Sequence, residues 1–188
     1  MTRRLSHVIG FDDGPFAREH RGDVLVVGAI FAGLRLEGVL SGKVRRDGAN
    51  STRVLAEMIA RSRHAPQVQA VLLQGIALAG FNVIDLPGLY RRLGIPVVAV
   101  ARRAPDFAAI EHALLSQVKG GRRKWRLIEQ LGPMEPVAGV FVQRAGLSLQ
   151  EAQSLIEGLA VHSVLPEPLR TAHLIAGGIV LGESRHRA

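Results

Sequence analysis

The chain opens with three apolar, β-branched segments that are separated by short polar turns. They cover residues 7–11, 24–31 and 34–44, and the imperfect alternation of apolar and polar positions in the third is typical of a strand. Only Ala32-Gly33 separates the second segment from the third, which predicts a hairpin. The first quarter of the chain is therefore predicted to form three antiparallel strands.

Helical and strand patterns alternate after Asp47. Short apolar strands are predicted over 68–73, 95–100 and 137–142. Helices are predicted from Thr52, over 86–93, 106–118 and 122–131, from Ser148 with a Ser148/Glu151 capping box, and from Pro166. This order predicts an α/β fold with a mixed sheet, three antiparallel strands and then parallel strands, flanked by helices. It is the strand order of the ribonuclease H-like fold, and the lack of repeats or linkers predicts one domain over 1–188.

Length and composition exclude several classes of protein and of functional site. The 188 residues contain no cysteine, which excludes disulfides, thiolate metal sites and a cysteine nucleophile and is compatible with a reducing cytoplasm. Asp12 and Asp13 interrupt the apolar stretch that a signal peptide would need. No uncharged apolar run reaches the roughly 18 residues of a membrane span. We therefore expect a cytoplasmic protein without a membrane partner.

The charge balance is the first indication of function. The formal net charge is +8, and arginine supplies 21 of the 24 basic residues. The planar guanidinium group binds phosphate with two hydrogen bonds, so this surface favours nucleic acid as the partner. The alternative is that a GC-rich genome makes arginine abundant and the charge only solvates the surface. The run over 122–126, which surrounds the single tryptophan with cations, has the same two interpretations: a nucleic-acid contact or an ordinary helix face.

Acidic and amide side chains follow the predicted strands at positions that would converge on one edge of the sheet. Asp12 ends the first strand, Asp47 follows the third and Gln74 ends the fourth. Carboxylates gathered there would repel one another unless a cation compensated, and magnesium prefers such oxygen ligands. A magnesium site could activate water and stabilise the leaving oxygen of a phosphodiester. The alternative is that Asp12-Asp13-Gly14-Pro15 and Asp47-Gly48 are simply turns.

Five segments of the chain resemble one known family, the endonuclease dU family. The segments are VIGFDDGPF (8–16), RDGANST (46–52), GIALAGFNVID (75–85), LPEPLRTAHLIA (165–176) and GESRHRA (182–188). That family is similar in turn to endonuclease V, which has a ribonuclease H-like fold, depends on a metal ion and cuts nucleic acid near inosine. The family name implies activity towards DNA that contains deoxyuridine.

The resemblance also implies which residues form the site. Asp12 matches the first-strand aspartate that binds metal in endonuclease V, and Asp47 matches the second acidic residue, in a looser alignment. His173 falls near the metal edge, so that Asp12, Asp47 and His173 are the expected catalytic residues. Asp12, Asp47 and Gln74 are the expected ligands of Mg²⁺ or Mn²⁺.

Gln74 departs from the family pattern, because endonuclease V has an aspartate there, in a D-G-Q-G motif. A glutamine oxygen can ligate magnesium but brings no negative charge, so metal binding is expected to be weaker. Three interpretations stay open: an active nuclease with an altered metal set, a binder that has lost catalysis, and an enzyme in which Asp13 replaces the missing ligand. Adjacent strand residues point to opposite faces, so Asp12 and Asp13 share a site only if the strand ends between them.

Five further residues are expected to contact nucleic acid. Phe81 would stack on an extruded base and Asn82 would bond its edge, the alternatives being core packing and loop capping. Arg102, Arg103 and Arg170 would contact phosphates.

The function expected from the resemblance is a metal-dependent endonuclease for deaminated bases in DNA repair, with DNA favoured over RNA. The alternatives are a basic nucleic-acid-binding protein that keeps the fold without cleavage, and a small-molecule-binding or scaffold protein.

Overall fold

A central sheet of seven strands carries the rest of the structure, a computed structural model that describes residues 5–184. The end of the GESRHRA segment, positions 185–188, lies outside the described residues. In chain order the strands are β1 (His7–Asp13), β2 (Asp23–Ala32), β3 (Arg35–Arg45), β4 (Ala70–Gln74), β5 (Ala77–Leu78), β6 (Asn82–Val83), β7 (Val97–Ala101), β8 (Glu135–Val137) and β9 (Val140–Ala145). The sheet order is β3-β2-β1-β4-β7-β9-β8, and β5 and β6 form a separate small hairpin.

The direction of the strands agrees with the prediction in the first half of the chain. The β1, β2 and β3 strands are antiparallel neighbours, and β4 and β7 then run parallel to β1. The last part differs from the prediction, because β9 runs antiparallel to β7 and forms a hairpin with β8. The single strand predicted over 137–142 is therefore wrong. Ala138 and Gly139 both have positive φ, at 50° and 80°, and turn the chain within that apolar run.

Six helices cover the two faces of the sheet in the described part of the chain. They are α1 (Ser51–Ala60), α2 (Leu86–Leu93), α3 (Phe107–Gln117), α4 (Gly121–Glu129), α5 (Leu149–Leu159) and α6 (Glu167–Leu181). Each lies where the sequence pattern predicts it, and the Ser148/Glu151 capping box is formed at the start of α5. No helix between residues 5 and 184 has both the length and the hydrophobicity to cross a bilayer.

The core has two halves because alternate strand residues point to opposite faces. On one face Ile9 and Phe11 of β1 pack in a cluster with residues of α1 and α2, such as Leu55. On the other face Val8 packs with residues of α5 and α6, such as Leu169. The alternation directs the side chain of residue 12 towards α6 and that of residue 13 towards the opposite face.

Helix α6 lies very close to β1 at Gly10. A Cβ atom at this position would lie 2.5 Å from the carbonyl carbon of Pro168 and 2.7 Å from the amide nitrogen of Leu169. Both neighbours are backbone atoms at the start of α6, so they cannot move aside without moving the helix. Glycine at position 10 thus sets the distance between β1 and the helix that carries His173.

The substitution Gly10→Ala is expected to lower the free energy of unfolding by about 1–3 kcal/mol, since it overpacks a rigid contact. Gly158→Ala is the matched control, because Gly158 lies inside α5 and no atom comes within 4 Å of its added Cβ. That change is expected to raise stability by about 0.5–1 kcal/mol, through helix propensity. Urea unfolding of both variants measures the difference, and equal effects would contradict the close approach of α6.

Candidate active site

Three parallel strands end at one edge of the sheet and bring polar side chains together there. Strands β1, β4 and β7 end at Asp13, Gln74 and Ala101, respectively. Loops that follow the carboxyl ends of parallel strands form the usual ligand site of an α/β sheet. The predicted convergence of Asp12 and Gln74 at one edge is therefore present in the fold.

Asp12 and His173 form the central contact of this edge. His173 Nδ1 lies 2.8 Å from Asp12 Oδ2, and the other oxygen, Oδ1, accepts the amide N–H of Asp13 at 2.9 Å. Asp12 is only 5% exposed. Burial raises the pKa of Asp12 above its usual value, and the hydrogen bond and the charge of His173 oppose that rise. The structure thus joins two residues that lie 161 positions apart in the sequence.

Gln74 lies on the same face of the sheet as Asp12. Its neighbour in the adjacent strand is Val100, which belongs to the cluster that also contains Leu169 of α6. The Oε1 atom of Gln74 is buried, and no donor among residues 5–184 bonds it. A buried acceptor of this kind is rare in native proteins and indicates a site for a donor or a cation.

Asp47 occupies a strained loop after β3 and is held by three groups. Its φ is +50°, which is uncommon for a residue other than glycine. Oδ1 accepts the Phe81 amide N–H at 2.8 Å and Oδ2 lies 3.3 Å from Arg46 Nε. The buried Lys124 donates to the Asp47 carbonyl at 2.5 Å, and burial lowers the pKa of this lysine. Oδ1 of Asp47 is thus hydrogen-bonded within the protein, whereas Oδ2 only forms an ion pair with Arg46, whose Nε makes no hydrogen bond to any described residue.

Asp13 points away from Asp12 and is linked to Asp47 instead. Asp13 Oδ2 accepts the Ala79 amide N–H at 2.9 Å, and the Ala79 carbonyl accepts the Asp47 amide N–H at 2.9 Å. Ala79 also has a positive φ, of 49°. Burial, reinforced by the charge of Asp12, raises the pKa of Asp13 to about 6. Because β1 continues through both aspartates, the expectation that they face opposite sides is confirmed.

These contacts determine which side chains at this edge of the sheet can hold a divalent cation. In the range 5–184, no three histidine, aspartate or glutamate side chains converge to hold an ion by themselves. Magnesium usually takes only one or two carboxylates and keeps water and substrate oxygens as its remaining ligands. The Asp12 carboxylate and the unbonded Gln74 oxygen are a donor set of that type. The oxygens of Asp47, like those of Asp12, already contact protein groups, and each oxygen keeps a second lone pair for an ion. The role of Asp47 as a ligand therefore stays a prediction.

Asn82 supports the loop that carries Asp47. It is fully buried, and its Nδ2 donates to the Arg45 carbonyl at 2.8 Å and to Asn50 Oδ1 at 2.7 Å. Its Oδ1 accepts the Ser51 amide N–H at 3.1 Å. These bonds correspond to the loop-capping alternative, because a base cannot reach the side chain in this structure.

Phe81 lines an apolar cavity of about 270 Å³ beside the strand edge. The wall begins at Gly75, directly after Gln74, and includes Phe107 and Ile110 of α3 and Ile128 of α4. Gln143 of β9 also belongs to the wall. The residue predicted to stack on a base therefore does line a cavity, which begins one residue after Gln74 and lies on the face of the sheet opposite Asp12.

The predicted cationic residues have different environments. Arg102 and Arg103 are exposed directly after β7, at the same sheet edge as Gln74. Arg170 is partly exposed and forms an ion pair with Glu167, with Nη2 and Oε2 2.9 Å apart. In the 122–126 run the arginines are exposed, whereas Lys124 is buried beneath Asp47. That run is thus a helix face with one inward lysine.

Sequence reasoning did not assign roles to Lys124 and Gln143 individually. Both are buried polar residues, at 5% and 2% exposure. The available signal for Gln143 was a glutamine directly after the apolar run Val140-Phe141-Val142. For Lys124 there was no comparable signal, because it stands among exposed cations.

Comparison with solved structures defines the class of the fold as ribonuclease H-like. A protein of unknown function from Archaeoglobus fulgidus matches with a TM-score of 0.86 and 32% identity over 93% of this chain and 98% of that one. Ciona intestinalis endonuclease V, solved with a 24-mer DNA containing inosine, matches with a TM-score of 0.57 and 13% identity over 90% of this chain and 83% of that one.

Sequence comparison identifies the family. The endonuclease dU family matches residues 4–180, and this chain belongs to that family. A UPF0215 protein of Deinococcus radiodurans is 58% identical over 96% of this chain and 92% of its own length. The predicted resemblance is thereby confirmed.

Proposed function

We propose that this protein is a metal-dependent endonuclease that cuts DNA beside a deaminated base. The observation that carries the proposal is the buried Asp12–His173 pair at the carboxyl edge of the sheet, on the face that also holds the unbonded oxygen of Gln74. The fold is that of endonuclease V, and the family carries the name endonuclease dU.

Asp12 and Gln74 are the residues that would hold the ion. Bound Mg²⁺ or Mn²⁺ would supply water activation and charge compensation at the phosphodiester. His173 lies 2.8 Å from Asp12 Oδ2 and so fixes the orientation of this carboxylate, as partners of metal ligands commonly do. Asp47, Asn82 and Lys124 stabilise the neighbouring loop.

The cavity lined by Phe81 is the proposed pocket for the extruded base. Enzymes that act at a modified base take it out of the stack and hold it between aromatic or apolar side chains. The cavity is apolar, measures about 270 Å³ and begins one residue after Gln74. A base held there would bring its own phosphodiester towards the edge of the sheet.

Positive charge around the edge supports nucleic acid as the partner. The net charge is +8, and the exposed Arg102 and Arg103 follow β7. A separate, polar cleft of about 350 Å³ is lined by Arg18, Arg21 and Arg45 and reaches Asp47. Phosphate contacts of this kind bind without regard to sequence and weaken with salt.

A second candidate function is binding to nucleic acid without cleavage. Gln74 is neutral where endonuclease V has an aspartate, and the Asp47 carboxylate contacts the Phe81 amide through Oδ1 and is in an ion pair with Arg46 through Oδ2. Both features weaken metal binding, whereas the buried Asp12–His173 pair on the same face as the unbonded Gln74 oxygen supports it, so the nuclease is the first candidate.

A panel of labelled oligonucleotides tests the proposed specificity. Strands of DNA carrying deoxyuridine, deoxyinosine or no lesion, and an RNA strand with inosine, are incubated with the protein and Mg²⁺ or Mn²⁺. We expect cuts in the deaminated DNA strands and binding to all strands that falls as salt rises. Binding to every strand with no cut under either metal would instead support the second candidate.

A further inference from the structure

We infer that Gln143 distinguishes deaminated bases from cytosine and adenine by accepting a hydrogen bond from the ring N–H that deamination creates. The inference rests on the proposed function and names the group that gives the base pocket its specificity. Three observations carry it: the fixed orientation of the Gln143 amide, its unbonded oxygen, and the apolar wall that surrounds it.

The orientation of the amide group is fixed by a backbone carbonyl. Gln143 lies on β9 opposite Ala99 of β7 and is 2% exposed. Its Nε2 donates to the Gly132 carbonyl at 2.6 Å. Only the NH₂ end of an amide can donate to a carbonyl, so Oε1 must point elsewhere.

The Oε1 atom of Gln143 is buried and accepts no hydrogen bond from any described residue. Gln143 is also the one polar side chain among the described residues that line the cavity beside Phe81. A buried acceptor without a donor destabilises a protein by the full cost of its desolvation. A ligand that brings an N–H group to this wall would remove that cost.

Deamination replaces the exocyclic amino group of a base with a carbonyl and places a hydrogen on the adjacent ring nitrogen. Ring nitrogen N3 of cytosine and N1 of adenine carry lone pairs, whereas N3 of uracil and N1 of hypoxanthine carry hydrogen. An acceptor in the pocket therefore bonds uracil and hypoxanthine and is repelled by the ring nitrogens of their parent bases. Thymine carries the same N3–H as uracil and guanine the same N1–H as hypoxanthine, so Gln143 does not distinguish the members of these two pairs.

The variant Gln143→Met tests the inference, since methionine has a similar volume and no amide oxygen. The substrates are single strands with one deoxyuridine or one tetrahydrofuran abasic site, which has no base to recognise. We expect cleavage at deoxyuridine to fall about 10- to 100-fold, the effect of losing one buried hydrogen bond, and cleavage at the abasic site to persist. Gln153→Met, an exposed glutamine on α5, is the matched control and is expected to cut both strands like the wild type.

A second measurement uses only the wild-type protein, because Gln143→Met also loses the bond to Gly132. The deoxyuridine is replaced by a pyrimidin-2-one deoxynucleoside, which is no larger than uracil and carries a lone pair at N3. Equal cleavage of the two strands, or undiminished cleavage of deoxyuridine by Gln143→Met, would overturn the inference. Failure of the wild type to cut even the deoxyuridine and abasic strands would instead contradict the proposed function.

Discussion

Replacing Asp12 by asparagine is expected to lower the rate of strand cleavage by at least about 100-fold. Loss of a residue that only orients a metal ligand costs about 10- to 100-fold, and Asp12 is proposed to bind the ion directly. Asn keeps the shape of the side chain but removes the carboxylate that lies against His173. The loss should therefore appear as weaker Mn²⁺ binding with the fold retained.

Isothermal titration with Mn²⁺ and a cleavage assay at saturating DNA measure the two effects on the same preparation. The control is Asp23→Asn, because Asp23 is exposed at the start of β2. Its ion pair with Arg45 is long, with 3.9 Å between Oδ1 and Nη1. This variant should bind and cut like the wild type. If Asp12→Asn cuts at the wild-type rate, the proposed metal site is wrong.

Asp13→Asn is expected to stabilise the metal-free protein at neutral and alkaline pH. Burial and the Asp12 charge raise the pKa of Asp13 from 3.8 to about 6 in the folded state. The folded state thus holds this proton more tightly than the unfolded state, so stability is lost as pH rises from about 4 through 6. The shift corresponds to a cost of up to about 3 kcal/mol above pH 7, which a neutral asparagine avoids.

Urea unfolding in EDTA at several pH values between 5 and 8 measures this effect. The stability advantage of Asp13→Asn should be largest at pH 8 and shrink as the pH falls. Asp23→Asn serves again as the control and should stay within about 0.5 kcal/mol of the wild type across the range. An advantage that is constant with pH would show that the charge of Asp13 is not its source.

Local patterns predicted most of the fold, because they depend on neighbours in the chain. The alternation in β1, β2 and β3, the helical period of α1 and the capping box of α5 are all local signals. The sequence pattern does not reveal the β8–β9 hairpin, because its turn consists only of the small residues Ala138 and Gly139 within an otherwise continuous apolar run. The β5–β6 hairpin was missed because each strand has only two residues.

The site was less predictable, because long-range contacts determine it. The resemblance to a family placed Asp12 and His173 together, since no local pattern joins residues 161 positions apart. The bonds that hold Asp47 and the unbonded oxygen of Gln143 depend on which neighbours the fold supplies. Residue types therefore indicated the chemistry, and the packing determined which side chains remain available for it.

The most direct test of the central claim is cleavage of an end-labelled single strand of DNA that contains one deoxyuridine. The protein is incubated with the strand in Mg²⁺, in Mn²⁺ and in EDTA, and the products are resolved by size. We expect one shorter labelled product with either metal and none in EDTA or from the strand without deoxyuridine. An intact strand in both metals, under conditions where the protein binds it, would show that the protein is not a metal-dependent nuclease for deoxyuridine.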